Sequence, residues 1–149
     1  PGDLNEVIRQ AVQLYAERLD GVELQLVLAD QLAPAMLDTE QLKRVFVNLT
    51  DNALEALAAM PDERRLTIKT RHDGTRDLLV ATVEDTGEGI PAGDFKRLFQ
   101  PYFSTRGRGT GLGLAIVARI ITEHGGRVYA EANVPHGTRF VIELPTAVS

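Results

Sequence analysis

The sequence predicts an α+β fold, a two-layer α/β sandwich with three main helices on one face of a mixed, mostly antiparallel sheet. Three observations carry this. Apolar residues keep helical spacing over 3–19 and 39–59, and a third, more apolar helix runs from Gly111 to about His124. Strand-like segments come in pairs with no helix between them, 66–70 with 78–84 and 127–132 with 138–144, which excludes a pure βαβ array. A length of 149 residues with 44% hydrophobic content suits one domain with a real core.

Asp3 followed by Glu6 has the pattern of a capping box, and Leu4, Val7, Ile8, Ala11, Val12, Tyr15 and Leu19 extend the first helix to about Leu19. Leu24, Leu26 and Leu28 alternate over 23–29, as in a strand with one buried face. Pro34 leaves room only for a short edge strand near 35–37. The second helix starts near Thr39 and turns Leu42, Val45, Phe46, Leu49, Ala53, Ala56 and Leu57 inward. Asp73-Gly74 joins the next two strands. A segment bearing glycine and proline follows, with one helical turn over 94–99. The third helix is apolar nearly all round and is stopped by Gly125-Gly126. The last two strands close as an antiparallel hairpin across Pro135-His136-Gly137.

Composition removes several functions. There is no cysteine, hence no disulfide or thiolate metal site, and a reducing, cytoplasmic compartment is compatible. No apolar run approaches the roughly 20 residues of a membrane span, and no signal peptide is visible, so no direct membrane contact is expected. The start at Pro1-Gly2 without methionine suggests a fragment of something longer. A net charge of −5 argues against nucleic-acid binding. Yet residues 95–122 hold no acid, while Lys96, Arg97, Arg106, Arg108 and Arg119 all fall there. A solvated basic face is the plain alternative. The glycine loop inside the same stretch favours a small, highly charged anion.

Asn48 and Asn52 lie one helical turn apart, about 40° of rotation, so both share a face at the border of the apolar stripe. A polar helix edge would look the same in isolation. Magnesium takes hard oxygen ligands and few of them from protein, a role that one asparagine carbonyl suits. Asp85 ends the apolar strand Leu79-Val80-Ala81-Thr82-Val83, pointing into a partly dry cleft. There a carboxylate can accept from an exocyclic amine, and so select adenine, although a plain turn after a strand remains open. Gly87 and Gly89 remove side chains where a planar ring would approach the backbone, and Ile90 offers apolar contact. Gly107-Arg108-Gly109-Thr110-Gly111-Leu112-Gly113 is a flexible loop opening a helix, whose first amides form an anion site. No G-x-x-x-x-G-K-[ST] is present, and Leu114 occupies the third glycine slot of G-x-G-x-x-G. The same misfit, with no H-R-D or D-F-G following, excludes a protein-kinase loop.

In order, these motifs resemble the ATP-binding catalytic domain of bacterial sensor histidine kinases, of the Bergerat or GHKL fold. Asn48-Leu49-Thr50-Asp51-Asn52-Ala53 is similar to its N box, and Asp85-Thr86-Gly87-Glu88-Gly89-Ile90 to G1. Residues 99–106, from Phe99 through Phe103 to Arg106, are similar to the F box, and Gly109-Thr110-Gly111-Leu112-Gly113-Leu114 to G2. The resemblance covers nearly the whole chain. It implies Mg2+ on Asn52, phosphate support from Asn48, and adenine on Asp85 with Thr138 assisting through water. It further implies an ATP lid over 91–108, anchored by Phe99 and Phe103, with Arg106 or Arg108 on phosphate and the amides of Gly111 and Leu112 facing it. Glu55, where many sensor kinases have a base, resembles the nitrogen-regulation branch, NtrY- or NtrB-like.

None of His72, His124 and His136 sits in the context of a phosphoaccepting histidine, and each reads as an ordinary surface residue. The expected partner is therefore the dimerisation and histidine-phosphotransfer domain of the same kinase, with a response regulator reached indirectly and the fragment itself monomeric. In ATP-hydrolysing relatives such as gyrase, a water-activating glutamate matches Asn48, and an amide cannot take that proton. An autonomous ATPase is thus disfavoured. An anti-sigma-factor serine kinase usually lacks the full F box. A non-catalytic adenine-nucleotide sensor is the alternative from another class.

Overall fold

The computed structural model describes residues 2–15, 19, 21–101, 103 and 112–146. Its elements in order are α1 (Leu4–Gln13), β1 (Glu23–Val27), α2 (Thr39–Ala58), β2 (Arg65–Asp73) and β3 (Leu78–Asp85), then a 3-10 helix (Ala92–Arg97), α3 (Gly113–Glu123), β4 (Arg127–Ala132) and β5 (Thr138–Pro145). The five strands form one sheet in the order β1-β2-β3-β5-β4. Only β1 and β2 pair in parallel; the other three pairings are antiparallel. The mixed α+β architecture is the expected one.

The helices stack their apolar stripes on one sheet face. Leu42, Val45, Phe46, Leu49, Ala53 and Leu57 of α2 meet Leu66 and Ile68, Leu79, Ala81 and Val83, and Phe140, Ile142 and Leu144 in a single buried cluster. Alternation along β3 puts Asp85 on the same face as Leu79, Ala81 and Val83. The central strand therefore delivers a carboxylate to the end of the core.

Several expectations need correction. The first helix ends at Gln13, six residues short of Leu19, and residues 16–18 lie outside the described set. Tyr15 fits the helical period for another reason. Its buried hydroxyl donates to Asp51 Oδ1 at 2.6 Å and lies 3.0 Å from the Val47 carbonyl, anchoring the chain to α2. Asp3 caps α1 through the amides of Asn5 and Glu6, but the Glu6 carboxylate turns to Gln10 at 3.4 Å and Arg9 at 3.6 Å rather than completing the box.

β1 stops at Val27, and Leu26 is 38% exposed, so its inward face is incomplete. Beyond Val27 two side chains take over the backbone: Ala29 N–H donates to Thr70 Oγ1, and the Ala29 carbonyl accepts from Asn5 Nδ2. The strand expected near 35–37 is one bridge, Ala35 with Gly2. The turn expected over 94–99 is the 3-10 helix, which already starts at Ala92 and ends at Arg97. α3 begins at Gly113, with Leu112 capping, and Gly111 lies outside the described residues; Val117, Ile120 and Ile121 alone are fully buried. Among the described residues, no helix is long and apolar enough to cross a membrane.

Candidate functional site

Asp85 is 1% exposed, and its Oδ1 accepts from Gly87 N–H at 2.9 Å and Thr138 N–H at 3.3 Å. Two main-chain donors on one carboxylate oxygen fix its plane. Beside it, Thr138 is fully buried, and its Oγ1 has no hydrogen-bond partner among the described residues. A buried hydroxyl in that state is one that a bound polar group or water completes.

The glycines of this loop serve packing more than the sequence suggests. A Cβ on Gly87 would lie 2.7 Å from the carbonyl carbon and Cβ of Ala56. Gly87 is small because the loop lies directly on α2, where Glu88 N–H also reaches the Ala56 carbonyl at 3.4 Å. The expected role as clearance for a planar ring is therefore not what this residue shows. Gly89 has φ +79°, a left-handed conformation that glycine adopts without strain. Ile90 packs half-buried on the core.

Across α2, Asn48 and Asn52 are both half-buried, at the border of the apolar stripe as expected. Asn48 Nδ2 donates to the Gly113 carbonyl at 3.4 Å, which sets the asparagine helix against the first turn of α3. Leu112, at the N-cap of α3, makes no side-chain capping hydrogen bond, and the start of a helix carries the positive end of its dipole.

The described part of the segment expected as a lid, 91–101 and 103, packs onto the core. Leu98 is buried, and Phe99 meets Phe140 of β5 edge-on with ring centroids 6.1 Å apart. Phe103 packs on the core beneath the Arg97 guanidinium, 4.6 Å from its ring centroid. Arg106, Arg108, Gly109, Thr110 and Gly111 lie outside the described residues. The structure thus brings together Asn48 and Gly113 on one side, with Asn52 a turn further along α2, and Asp85, Gly87 and Thr138 on the other.

Sequence reasoning missed three contributors. Asn133 Nδ2 donates to the Asp85 carbonyl at 2.9 Å, and His136 Nδ1 lies 3.3 Å from the Gly87 carbonyl. Thr86 Oγ1 donates to the Glu63 carbonyl at 2.6 Å and accepts from Arg65 N–H at 2.9 Å. The position of Asn133 and His136 in the turn opposite Asp85 was the available signal. His124 is likewise no free surface residue: its Nδ1 contacts the Ile120 carbonyl and its Nε2 accepts from Asp38 N–H, joining α3 to α2.

This arrangement of helices on one mixed sheet has counterparts among known proteins. The chain belongs to the family described as histidine kinase-, DNA gyrase B-, and HSP90-like ATPases, whose model matches residues 37–148. Within that family its relatives are sensor histidine kinases. It is 38% identical to the sensor kinase CckA of Brucella abortus, over 98% of this chain and 17% of that protein. It is 37% identical to the sensor histidine kinase ZraS of Klebsiella oxytoca, over 96% of this chain and 30% of that one. The chain therefore spans less than a third of either relative. The solved catalytic domain of histidine kinase ThkA superimposes with a TM-score of 0.84 at 30% identity, covering 96% of this chain and 94% of that one. Full-length ShkA, solved in complex with AMPPNP, gives 0.86 at 26% identity, covering all of this chain and 31% of that one.

Proposed function

We propose that this chain binds ATP with Mg2+ and donates the γ-phosphoryl group to a histidine on a separate dimerisation domain of its parent sensor kinase. The observation that carries this reading is the Asp85 carboxylate, buried and held by two amides beside the unpartnered Thr138 hydroxyl. That pair matches the amine edge of adenine together with a bridging water. AMPPNP bound to ShkA supports the same ligand class here.

Asp85 accepts the exocyclic amine, while Gly89 and Ile90 line the ring. Asn52 offers its amide oxygen to Mg2+, and Asn48 sets the phosphates against the first turn of α3, where Leu112, Gly113 and the preceding Thr110 and Gly111 supply amides. Arg106 and Arg108 add positive charge from the lid, which Phe99 and Phe103 anchor. Bound Mg2+ would neutralise charge developing on the transferred group. The chain itself contributes positioning and electrostatics, and no base for a water nucleophile, since Asn48 cannot accept a proton there. Transfer therefore awaits an imidazole whose nitrogen forms a bond to the γ-phosphorus as ADP leaves, with the imidazole proton taken by a carboxylate of the partner helices. The complex of ThkA with the response regulator TrrA supports a response regulator as the downstream partner.

The chain is read as a monomeric catalytic domain that works in the cytoplasm. Glu55 supports the nitrogen-regulation branch. Mixing the chain with a helical hairpin that bears its cognate histidine, plus γ-labelled ATP, tests the reading. Acid-labile, base-stable label on the hairpin is the expected result. Nucleotide binding without phosphohistidine would favour a regulatory nucleotide sensor instead.

A further inference from the structure

We infer that Asn133 and His136, in the β4–β5 turn, are positioning residues that set base selectivity by holding the Asp85-Gly87 backbone. The inference rests on the reading of Asp85 as the adenine acceptor.

The loop from Asp85 to Gly87 is gripped on three sides. At the start of β2, Glu63 and Arg65 fix the Thr86 hydroxyl, and from α2 the backbone at Ala56 abuts Gly87. The third side is the turn. Asn133 Nδ2 donates to the Asp85 carbonyl at 2.9 Å, Thr138 N–H to its carboxylate at 3.3 Å, and His136 Nδ1 reaches the Gly87 carbonyl at 3.3 Å. The turn is itself closed by Asn133 N–H on the Gly137 carbonyl, and by Val134 N–H on Asn133 Oδ1. The two ends of the Asn133 amide therefore act separately, the oxygen holding the turn and the nitrogen holding the adenine loop.

A carbonyl can only accept, so Nδ1 of His136 must carry a proton. These two side chains pin the main chain on both sides of Thr86, and with it the direction in which the Asp85 carboxylate faces. Adenine and guanine differ at the position that carboxylate reads, where one presents an amine and the other a carbonyl. A tilt of a few tenths of an ångström weakens the accepted hydrogen bond and relaxes rejection of the carbonyl. Phosphate and metal contacts, common to both nucleotides, are untouched. Selectivity is thus the sensitive readout, whereas general loosening would weaken both nucleotides alike.

The experiment is titration calorimetry of the 149-residue chain with Mg2+–ATP and Mg2+–GTP. Variants are Asn133→Asp, which keeps the turn-facing oxygen and removes the donor, and His136→Gln. His136→Asn places an amide nitrogen near the Nδ1 position and serves as the conservative rescue. Loss of one neutral hydrogen bond corresponds to about a five-fold fall in the ATP-to-GTP affinity ratio for Asn133→Asp and for His136→Gln. His136→Asn is expected to hold the wild-type ratio. If Asn133→Asp does not fold, Asn133→Ala removes the same donor without adding charge. Asp85→Asn is the reference. Wild-type ratios in the Asn133 and His136 variants alongside a collapsed ratio in Asp85→Asn would overturn the inference and leave the adenine reading standing. A wild-type ratio in Asp85→Asn as well would overturn both.

Discussion

Asp85 was legible because an alternating strand ends on it, and alternation dictates which face the last side chain takes. What alternation could not supply is the part of its hydrogen-bonding shell that comes from residues 48 and 53 positions away in sequence. Replacing the carboxylate by an amide in Asp85→Asn keeps the shape and exchanges half the acceptor for a donor. A hydrogen bond to a charged group contributes about 1.5–3 kcal/mol, so ATP affinity should fall about ten- to hundred-fold with the fold intact. Calorimetry alongside circular dichroism checks both halves of that statement. Gly87 belongs to the same scale with a different outcome. A methyl group there meets helix backbone at 2.7 Å, and Gly87→Ala is expected to lower unfolding free energy by about 1–3 kcal/mol in urea melts. A glycine beside a binding motif looks the same in sequence whether it clears a ligand or a helix; only tertiary packing separates the two.

Among the elements, the helices and the two hairpins were readable because each has a strong period or a turn signal. The boundaries that failed are those where side chains intercept the backbone. Thr70 and Asn5 capture Ala29 and end β1, and Tyr15 replaces a further turn of α1 with a tether to Asp51. Such captures are long-range in sequence and have no local pattern. Tyr15→Phe removes the tether while leaving the ring packed. The expected result is about 1–2 kcal/mol lower stability by chemical denaturation, with nucleotide selectivity unchanged. At the far end of the β2–β3 hairpin, a hydrogen bond from the Arg76 guanidinium holds the Asp73 carboxyl below its ordinary range. A lowered folded-state value means stabilisation present above the unfolded value, near pH 4, and lost as pH falls through the folded one. Asp73→Asn should therefore be slightly less stable than the parent chain at neutral pH, and the gap should close as pH falls below about 4. Melting temperature against pH for the two chains checks it.

For the whole molecule, one strand and one helix divide the labour that the proposed function assigns: the central strand would present Asp85 to the base, and α2 sets Asn48 against the start of α3. The ordered motifs made the places of these residues legible, since Asn48 and Asn52 fall on α2 and Asp85 ends β3. The clamp from the last hairpin was not legible, because a turn of Asn, Pro, His and Gly announces only that the chain reverses. An ATP site without a base for water is expected to hydrolyse slowly. Steady-state ATP turnover of the isolated chain should be low and should not rise with nucleotide concentration beyond saturation of binding.

The most direct test is titration of folded chain with ATP in the presence of Mg2+. The account requires saturable one-to-one heat, weaker for GTP and strongly reduced in Asp85→Asn. Absence of heat from folded protein, or an unchanged isotherm in Asp85→Asn, would contradict it.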